Sequence, residues 1–399
     1  MNANWDKVFQ IINKPERRII GLMSGTSLDG LDIALCAVKG KGSDTSVRIL
    51  EFKTVPYTDG FKKDIKSIFS KRDADLQMIS LMNAQIGLVH GGMILEAIAS
   101  WGLKPDDVDV IASHGQTIFH APQSLHGLEG YPNATLQIGD GDHIAVKTGI
   151  VTIADFRQKH LAAGGEGAPL AVYGDYLLFS KPGEDRIMLN IGGIANFTYL
   201  PGNGDASKVF STDLGPGNTI MDQYVQKNYP GLYFDKDGSI SASGTSNGLL
   251  LDALMKEDFL DAGFPKTTGP ELFNLSYLEK AQKQSATTDL STADVMATLC
   301  NFTARVIVRA VERCFGVDNT FSMYMSGGGM HNPELVRRLN EALPGVAFYT
   351  TASLGIDPDA KEAVLFAVLA NETLVGDVVN FGDRQGVPAV CMGKICLPY

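Results

Sequence analysis

One pattern is written twice along this chain, and that repeat constrains the fold more than any other feature. Near the start, "RRIIGLM" and "LDIALCAV" read as two strands joined by a turn of Gly, Ser, Thr and Asp. Later, "RIMLNIGGIANFTYL" again reads as strand, Gly-rich turn, strand. Short aliphatic and β-branched runs bounded by glycine are the signature of buried strands. Writing that signature twice predicts a duplicated layout, with one domain over 1–183 and a second over 184–399.

The segments between the two hairpins support alternating layers. Residues 61–100 carry helical periodicity, and "DVDVIASHGQTIFH" holds a buried strand with a polar tip. "GDHIAVKTG" reads as a short helix, "IVTIADF" as a strand, and "APLAVYGDYLLF" as a helix with Pro169 near its start. In the second half, "ADVMATLCNFTARVIVRAVERCFG" is a long helix with an apolar face. "FSMYMSGGG" is a strand entering a triple-glycine turn. "NPELVRRLNEAL" is a helix with Asn332 as cap and Pro333 in its first turn. Strands alternating with helices give the α/β class.

Composition sets the outer limits. A chain of 399 residues is too long for one ordinary core. Its net charge of −11 argues against a polyanion-binding surface, so no nucleic-acid partner is expected. A small phosphate-bearing ligand remains compatible, because backbone amides bind phosphate without net positive charge. No uninterrupted run of 18 apolar residues occurs, so no membrane span is expected. The start of the chain lacks the pattern of a signal peptide. The cysteines, Cys36, Cys300, Cys314, Cys391 and Cys396, are scattered and form no CxxC. Reduced thiols of a cytoplasmic protein are the expectation.

Six stretches carry chemistry. In "GLMSGTSLDGLDIAL", Gly25 and Gly30 allow a tight turn whose N–H groups converge, a form that binds anions. Thr26 and Ser27 add hydroxyls, and Asp29 and Asp32 are placed to hold water around Mg²⁺. "LNIGGIANF" repeats the form at Gly192 and Gly193. Two such hairpins suit a polyphosphate. "MSGGGMHN" offers Gly327, Gly328 and Gly329, against which a flat group such as adenine would lie. An ordinary hairpin, a Gly-rich bend and a permissive loop are the bland alternatives for these three. No GxxxxGK[ST] and no well-placed GxGxxG occurs, which sets aside P-loop and dinucleotide folds.

In "FSTDLGPGNTIMDQY", Asp213 stands at a strand end before Gly215-Pro216-Gly217, a position suited to a general base in a cleft between domains. A turn-buttressing role is the alternative. "SHGQTIFH" and "LQIGDGDH" supply His114, His120, Asp140 and His143, whose spacing fits no standard zinc pattern; a polar strand tip in a substrate pocket fits better. In "ADFRQKHLAAGGEGAPL", Arg157 suits bidentate contact with carboxylate or sugar oxygens, or a structural ion pair.

Taken together, "GLMSGTSLDGLD", "SHGQT", "ADFR", "AAGG.GAPL", "LNIGG.AN", "D.GPGN", "SGGG..N" and "GI.P" run in an order similar to that of the anhydro-N-acetylmuramic acid kinases. The resemblance covers about residues 18–396. It implies two actin-like (ribonuclease H-like) lobes around an ATP and substrate cleft. It implies phosphorylation of O6 of a 1,6-anhydro sugar by ATP, with Mg²⁺, while water opens the bridge at C1, as a step of peptidoglycan recycling. By motif, Gly25, Thr26, Ser27, Leu28, Asp29, Gly30, Leu31 and Asp32 would hold phosphates, with Asp29 nearest the metal's water shell. Gly192, Gly193 and Asn196 would form the second phosphate hairpin, and Gly327 to Gly329 the adenosine loop. Asp213 would be the base, and Arg157, Glu362 and His114 would line the sugar pocket. The partner implied is the small anhydro sugar, and a homodimer is an allowed assembly.

Three positions depart from the family's usual pattern: His160 replaces Asp, Glu166 replaces Gln and Pro270 replaces Arg. They bear on the identity of the sugar more than on the reaction. Levoglucosan-like sugars, a metal-dependent hydrolase on the histidine set, and a non-catalytic nucleotide or sugar-binding relative are the competing functions.

Overall fold

The computed structural model describes residues 2–25, 28–316, 321–382 and 386–399. The chain divides into two compact units, one of residues 1–180 with 355–399 and one of residues 181–354.

The first unit is built on a sheet of β1 (Glu16–Ser24), β2 (Gly30–Lys39), β3 (Ser46–Pro56), β4 (Val110–Ala121), β5 (Ala134–Ile138) and β6 (Val151–Ala154), closed by a C-terminal strand, Lys394–Cys396. Its order runs Lys394–Cys396, β6, β4, β1, β2, β3, with β5 paired to β4. β1–β2 and β2–β3 are antiparallel, whereas β1–β4 and β4–β6 are parallel. Ile20, Leu22, Leu31, Ile33, Leu35 and Ile111 of these strands are buried together with Ile94, Ala97 and Ile98 of the Leu76–Ser100 helix.

The second unit has β7 (Arg186–Ile191), β8 (Ile194–Leu200), β9 (Phe210–Pro216), β10 (Ser322–Ser326) and β11 (Ala347–Thr350). Their order is β11, β10, β7, β8, β9, and the directions match the first unit: β7–β8 and β8–β9 antiparallel, β7–β10 and β10–β11 parallel. With β5 and the C-terminal strand set aside, both sheets read third, second, first, fourth, fifth strand. That shared order is the ribonuclease H-like topology of actin-like lobes, and it makes the duplication expected from the two hairpins a property of the whole sheet. The Thr292–Phe315 helix supplies much of this unit's core, burying Val295, Leu299, Phe302 and Ile307. Ser291 caps it by accepting from Asp294 N–H at 3.1 Å. Asn332 caps the Pro333–Ala342 helix, accepting from Glu334 and Leu335 N–H at 3.1 Å each.

The division differs from the single boundary at 183/184 expected from sequence, because residues 355–399 return to the first unit. The strand Lys394–Cys396 pairs antiparallel with β6. The Lys361–Val375 helix lies so close to β1 that a Cβ on Gly21 would strike the Ala363 carbonyl. Neither pairing is visible locally in sequence.

The Leu76–Ser100 helix falls within the stretch whose periodicity predicts helix. With a mean hydropathy of 1.4 over its most apolar window, it is long and apolar enough to cross a membrane by length and composition. Its small residues pack against the Gly141–Thr148 helix: a Cβ on Gly87 would lie 2.8 Å from the Asp140 carbonyl oxygen, and one on Gly91 2.8 Å from Lys147 Cγ.

Candidate active site

The second unit gathers its polar groups by strand register. Asn190 of β7 is opposite Asn196 of β8, and Asn196 is opposite Asp213 of β9. On the other side, Asn190 is opposite Ser326 of β10. Directly paired residues point to the same face, so Ser326, Asn190, Asn196 and Asp213 form one polar row across four strands. Asn190 and Ser326 are functional candidates that sequence reasoning missed; the signal that could have found them is the alignment of "LNIGG" with "IANF" as a hairpin.

Asp213 is half-buried. Its Oδ2 accepts Thr268 N–H at 2.9 Å, and its own N–H donates to the Lys266 carbonyl at 2.9 Å. Desolvation pushes the Asp213 carboxyl up to about 6; the Thr268 N–H works against that rise and Glu271 adds to it. A carboxylate titrating near 6 is a far better proton acceptor near neutrality than an ordinary aspartate.

The glycines of this unit divide into two kinds. Gly327 has φ 81°, and a Cβ there would lie 2.6 Å from Asn190 Oδ1. A Cβ on Gly329 would strike Ile191. A Cβ on Gly193 would lie 2.7 Å from Thr219 Oγ1. Packing alone requires these three to be small. Gly192 and Gly328 are different: the nearest atoms to a Cβ would be Asn190 Nδ2 at 3.6 Å and Asn218 Nδ2 at 3.7 Å, which are ordinary contacts. Among the described residues, no neighbour requires Gly192 or Gly328 to lack a side chain.

In the first unit, Thr26 and Ser27 lie outside the described residues. Gly25 accepts from Gln116 Nε2 at 3.3 Å through its carbonyl. Leu28 and Leu31 are core residues, 1% and 0% exposed, so their side chains face the interior. Gly30 is small because a Cβ would strike the Val55 carbonyl of β3. Asp29 is exposed, whereas Asp32 accepts from Thr54 Oγ1 at 2.6 Å. Desolvation raises the Asp32 pKa, and Asp359 and Asp29 add to the rise. Of the two, Asp29 is the carboxylate free to meet a hydrated cation, which fits the chemistry of Mg²⁺.

The "SHGQT" strand tip and the "ADFR" turn meet. Arg157 Nε donates to His114 Nε2 at 3.0 Å, and the His114 Nδ1 lies 3.0 Å from the Gly115 carbonyl. The only tautomer satisfying both carries its proton on Nδ1. Burial first, and then the Arg157 charge, hold His114 well below its ordinary pKa. Both ring nitrogens are engaged inside the protein, so His114 orients Arg157 and has no lone pair left for a sugar or a metal. His120 and His143 are exposed, and among the described residues no group of three His, Cys, Asp or Glu could hold a metal ion. Among the described residues the zinc alternative therefore has no ligand set.

Arg157 also donates through Nη1 to the Gly167 carbonyl at 2.6 Å. Desolvation lowers its pKa to about 10, and the Glu362 charge opposes the drop. Glu362, in the first turn of the Lys361–Val375 helix, is solvent-accessible, yet the surrounding protein raises its pKa by desolvation. Arg157 and Glu362 thus feel each other's charge, with no ion pair between them among the described residues. His160 is buried, and its Nδ1 accepts Gly167 N–H at 3.0 Å. Glu166 is half-buried on the loop between, and Pro270 is exposed.

Residues 17–393 match the family model described as anhydro-N-acetylmuramic acid kinase. A protein of that name from Pseudoalteromonas atlantica is 54% identical over 400 residues, covering 100% of both chains. Its namesake from Pseudoalteromonas translucida is 52% identical over 99% of each chain. Another from Caldanaerobacter subterraneus is 41% identical over 98% of this chain and 100% of the relative.

Proposed function

The chain belongs to the anhydro-N-acetylmuramic acid kinase family, and from that premise we propose that it phosphorylates O6 of 1,6-anhydro-N-acetylmuramic acid while water opens the anhydro bridge. Membership makes it an ATP-dependent kinase of amino-sugar metabolism, in the recycling of cell-wall peptidoglycan. The products are N-acetylmuramic acid 6-phosphate and ADP.

The observation that carries the reading is the placement of Asp213, half-buried in the polar row with one oxygen held by Thr268 N–H at 2.9 Å, where burial raises its carboxyl to about 6. The other oxygen is left for a water molecule. Water attacks C1, and Asp213 takes one of its protons. The C1–O6 bond breaks, and the departing O6 bonds to the γ-phosphorus of ATP as the bond to the β-phosphate oxygen breaks. A glycosidase needs a second carboxyl to protonate its leaving oxygen. Here phosphoryl capture replaces that proton, so one base suffices. Attack opposite the bridge inverts C1.

Arg157, oriented by His114 and Gly167, binds sugar oxygens or the lactyl carboxylate through its planar fork. Glu362 accepts from sugar hydroxyls. Gly25, Gly192 and Gly193 face the phosphates and Gly328 the nucleoside. Asp29 would hold Mg²⁺ through water, and the ion would neutralise charge on the β- and γ-phosphates.

Release of ADP with 1,6-anhydro-N-acetylmuramic acid, run beside levoglucosan, tests the assignment. Turnover of the muramic substrate alone supports it. Turnover restricted to levoglucosan sinks the substrate, and retention of near-full kcat by Asp213→Asn sinks the mechanism.

A further inference from the structure

β9 is the edge strand of the second sheet, so its outer side is open to pairing. The segment 265–268 runs along that edge. Lys266 N–H donates to Thr212 Oγ1 at 3.0 Å, Asp213 N–H donates to the Lys266 carbonyl at 2.9 Å, and Thr268 N–H donates to Asp213 Oδ2 at 2.9 Å. Three hydrogen bonds thus strap Asp213 and its neighbour to one short polar segment. Pro265 and Thr267 of that segment are exposed.

The Lys266 side chain supplies the anchor. Its Nζ donates to the Phe259 and Leu260 carbonyls at 2.7 and 3.1 Å. The same ammonium lies 4.5 Å from the Phe259 ring centroid and 4.9 Å from that of Phe264. Arg313 stacks on Phe264 at 5.1 Å and donates to the Leu260 carbonyl at 2.6 Å. No carboxylate pairs with Lys266 among the described residues, so the ammonium is spent on carbonyls and ring faces. We propose that Lys266 is a positioning residue for the reaction: its ammonium anchors the strap whose peptide N–H orients the Asp213 carboxylate. The proposal rests on the reading of Asp213 as the base.

The charged groups around the strap set its pH behaviour. Lys266 faces Arg309 and Arg313 of the Thr292–Phe315 helix, Asp261 of the Asp258–Asp261 helix, and Cys314; Asp213 faces Glu271. Burial first, then Arg313, bring Lys266 down to about 8. Above that pH the amine loses its charge, its bonds to carbonyls weaken and its attraction to the rings fades. The strap loosens on the alkaline side. Losing the Thr268 N–H also raises the Asp213 pKa, because that bond favours the carboxylate.

The experiment compares Lys266→Met, Lys266→Arg and Thr212→Val in the full chain, over pH 5 to 10. For Lys266→Met we expect kcat to fall at least tenfold with both KM values within twofold. Its acid limb should move above pH 6. Lys266→Arg should restore kcat and remove the alkaline limb near pH 8. Thr212→Val, which removes a hydroxyl of the strap without changing its volume, should move the acid limb the same way. A carboxyl titration of Asp213 by carbon NMR reads the same shift without turnover. If Lys266→Met keeps kcat within twofold and an unmoved acid limb while Asp213→Asn is inactive, the anchor is refuted and the base stands. If Asp213→Asn is active, the base falls and the proposal falls with it.

Discussion

His160 accepts the Gly167 N–H through Nδ1 at 3.0 Å, and the Gly167 carbonyl receives Arg157 Nη1 at 2.6 Å. One glycine therefore couples the histidine to the arginine. A Cβ at neighbouring Gly165 would strike the His160 ring, so the loop fits closely around it. Accepting requires an unprotonated Nδ1, and burial holds His160 at about 4. His160 acts on the loop, and its Nδ1 is not available to a ligand. Replacing it with Leu should raise the KM for the anhydro sugar about two- to tenfold, the worth of one neutral hydrogen bond. The KM for ATP should not move. Asn, which offers an oxygen near the Nδ1 position, should restore most of the loss. Equal increases in both KM values would contradict this coupling.

Gly192 and Gly328 have room for a methyl group in the protein alone. Ala at either position should leave the melting temperature within about a degree or two and raise the KM for ATP. Gly327, with φ 81° and Asn190 Oδ1 2.6 Å from a Cβ, should behave oppositely. Gly327→Ala should lower the melting temperature by several degrees, as strain of about 1–3 kcal/mol does. Thermal melts beside ATP titrations separate the two kinds of glycine.

Asp213 must be unprotonated to take a proton from water. With its carboxyl at about 6, kcat/KM should fall roughly tenfold per pH unit below about pH 6. Asp213→Asn should lower kcat by about 10²- to 10⁴-fold and keep sugar binding, measured by calorimetry. A profile flat down to pH 5 would remove Asp213 from the proton transfer.

His90 is buried between helix and sheet, with Nε2 2.8 Å from the Tyr57 hydroxyl. Tyr57 donates to Ser24 Oγ at 2.7 Å, so His90 donates, and its Nδ1 has no partner among the described residues. Burial lowers its pKa to about 4. Between about 6.5 and 4 the unfolded chain takes up a proton that the folded one refuses, so stability is lost as the pH is lowered across that window. His160 acts in the same direction; Asp213 and Asp222, both raised to about 6, act in the opposite one. These groups oppose one another, and the comparison with His90→Gln isolates the part due to His90. From pH 7 to 5 the wild type should lose more stability to urea than the variant does.

Much of the candidate site was legible because its signals are local. Glycine runs, a carboxylate before Gly-Pro-Gly and an arginine after Ala-Asp-Phe each stand within a few residues of the turn that exposes them. What each glycine is for was not legible. Gly30 is small for β3, Gly329 for Ile191, and Gly328 for no neighbour among the described residues. His114 likewise resembled a pocket residue in sequence, and only the approach of Arg157 showed both nitrogens in use.

By itself the sequence determined the α/β class, the duplicated hairpin and the candidate base, because side-chain period and turn chemistry are short-range. Only the tertiary structure decided the polar row Ser326–Asn190–Asn196–Asp213, the strap from Lys266, and the return of residues 355–399 to the first sheet. Those depend on which strands pair and in what register. Pairing is chosen by the burial of whole faces, a sum over residues far apart in the chain, and no local stretch encodes it.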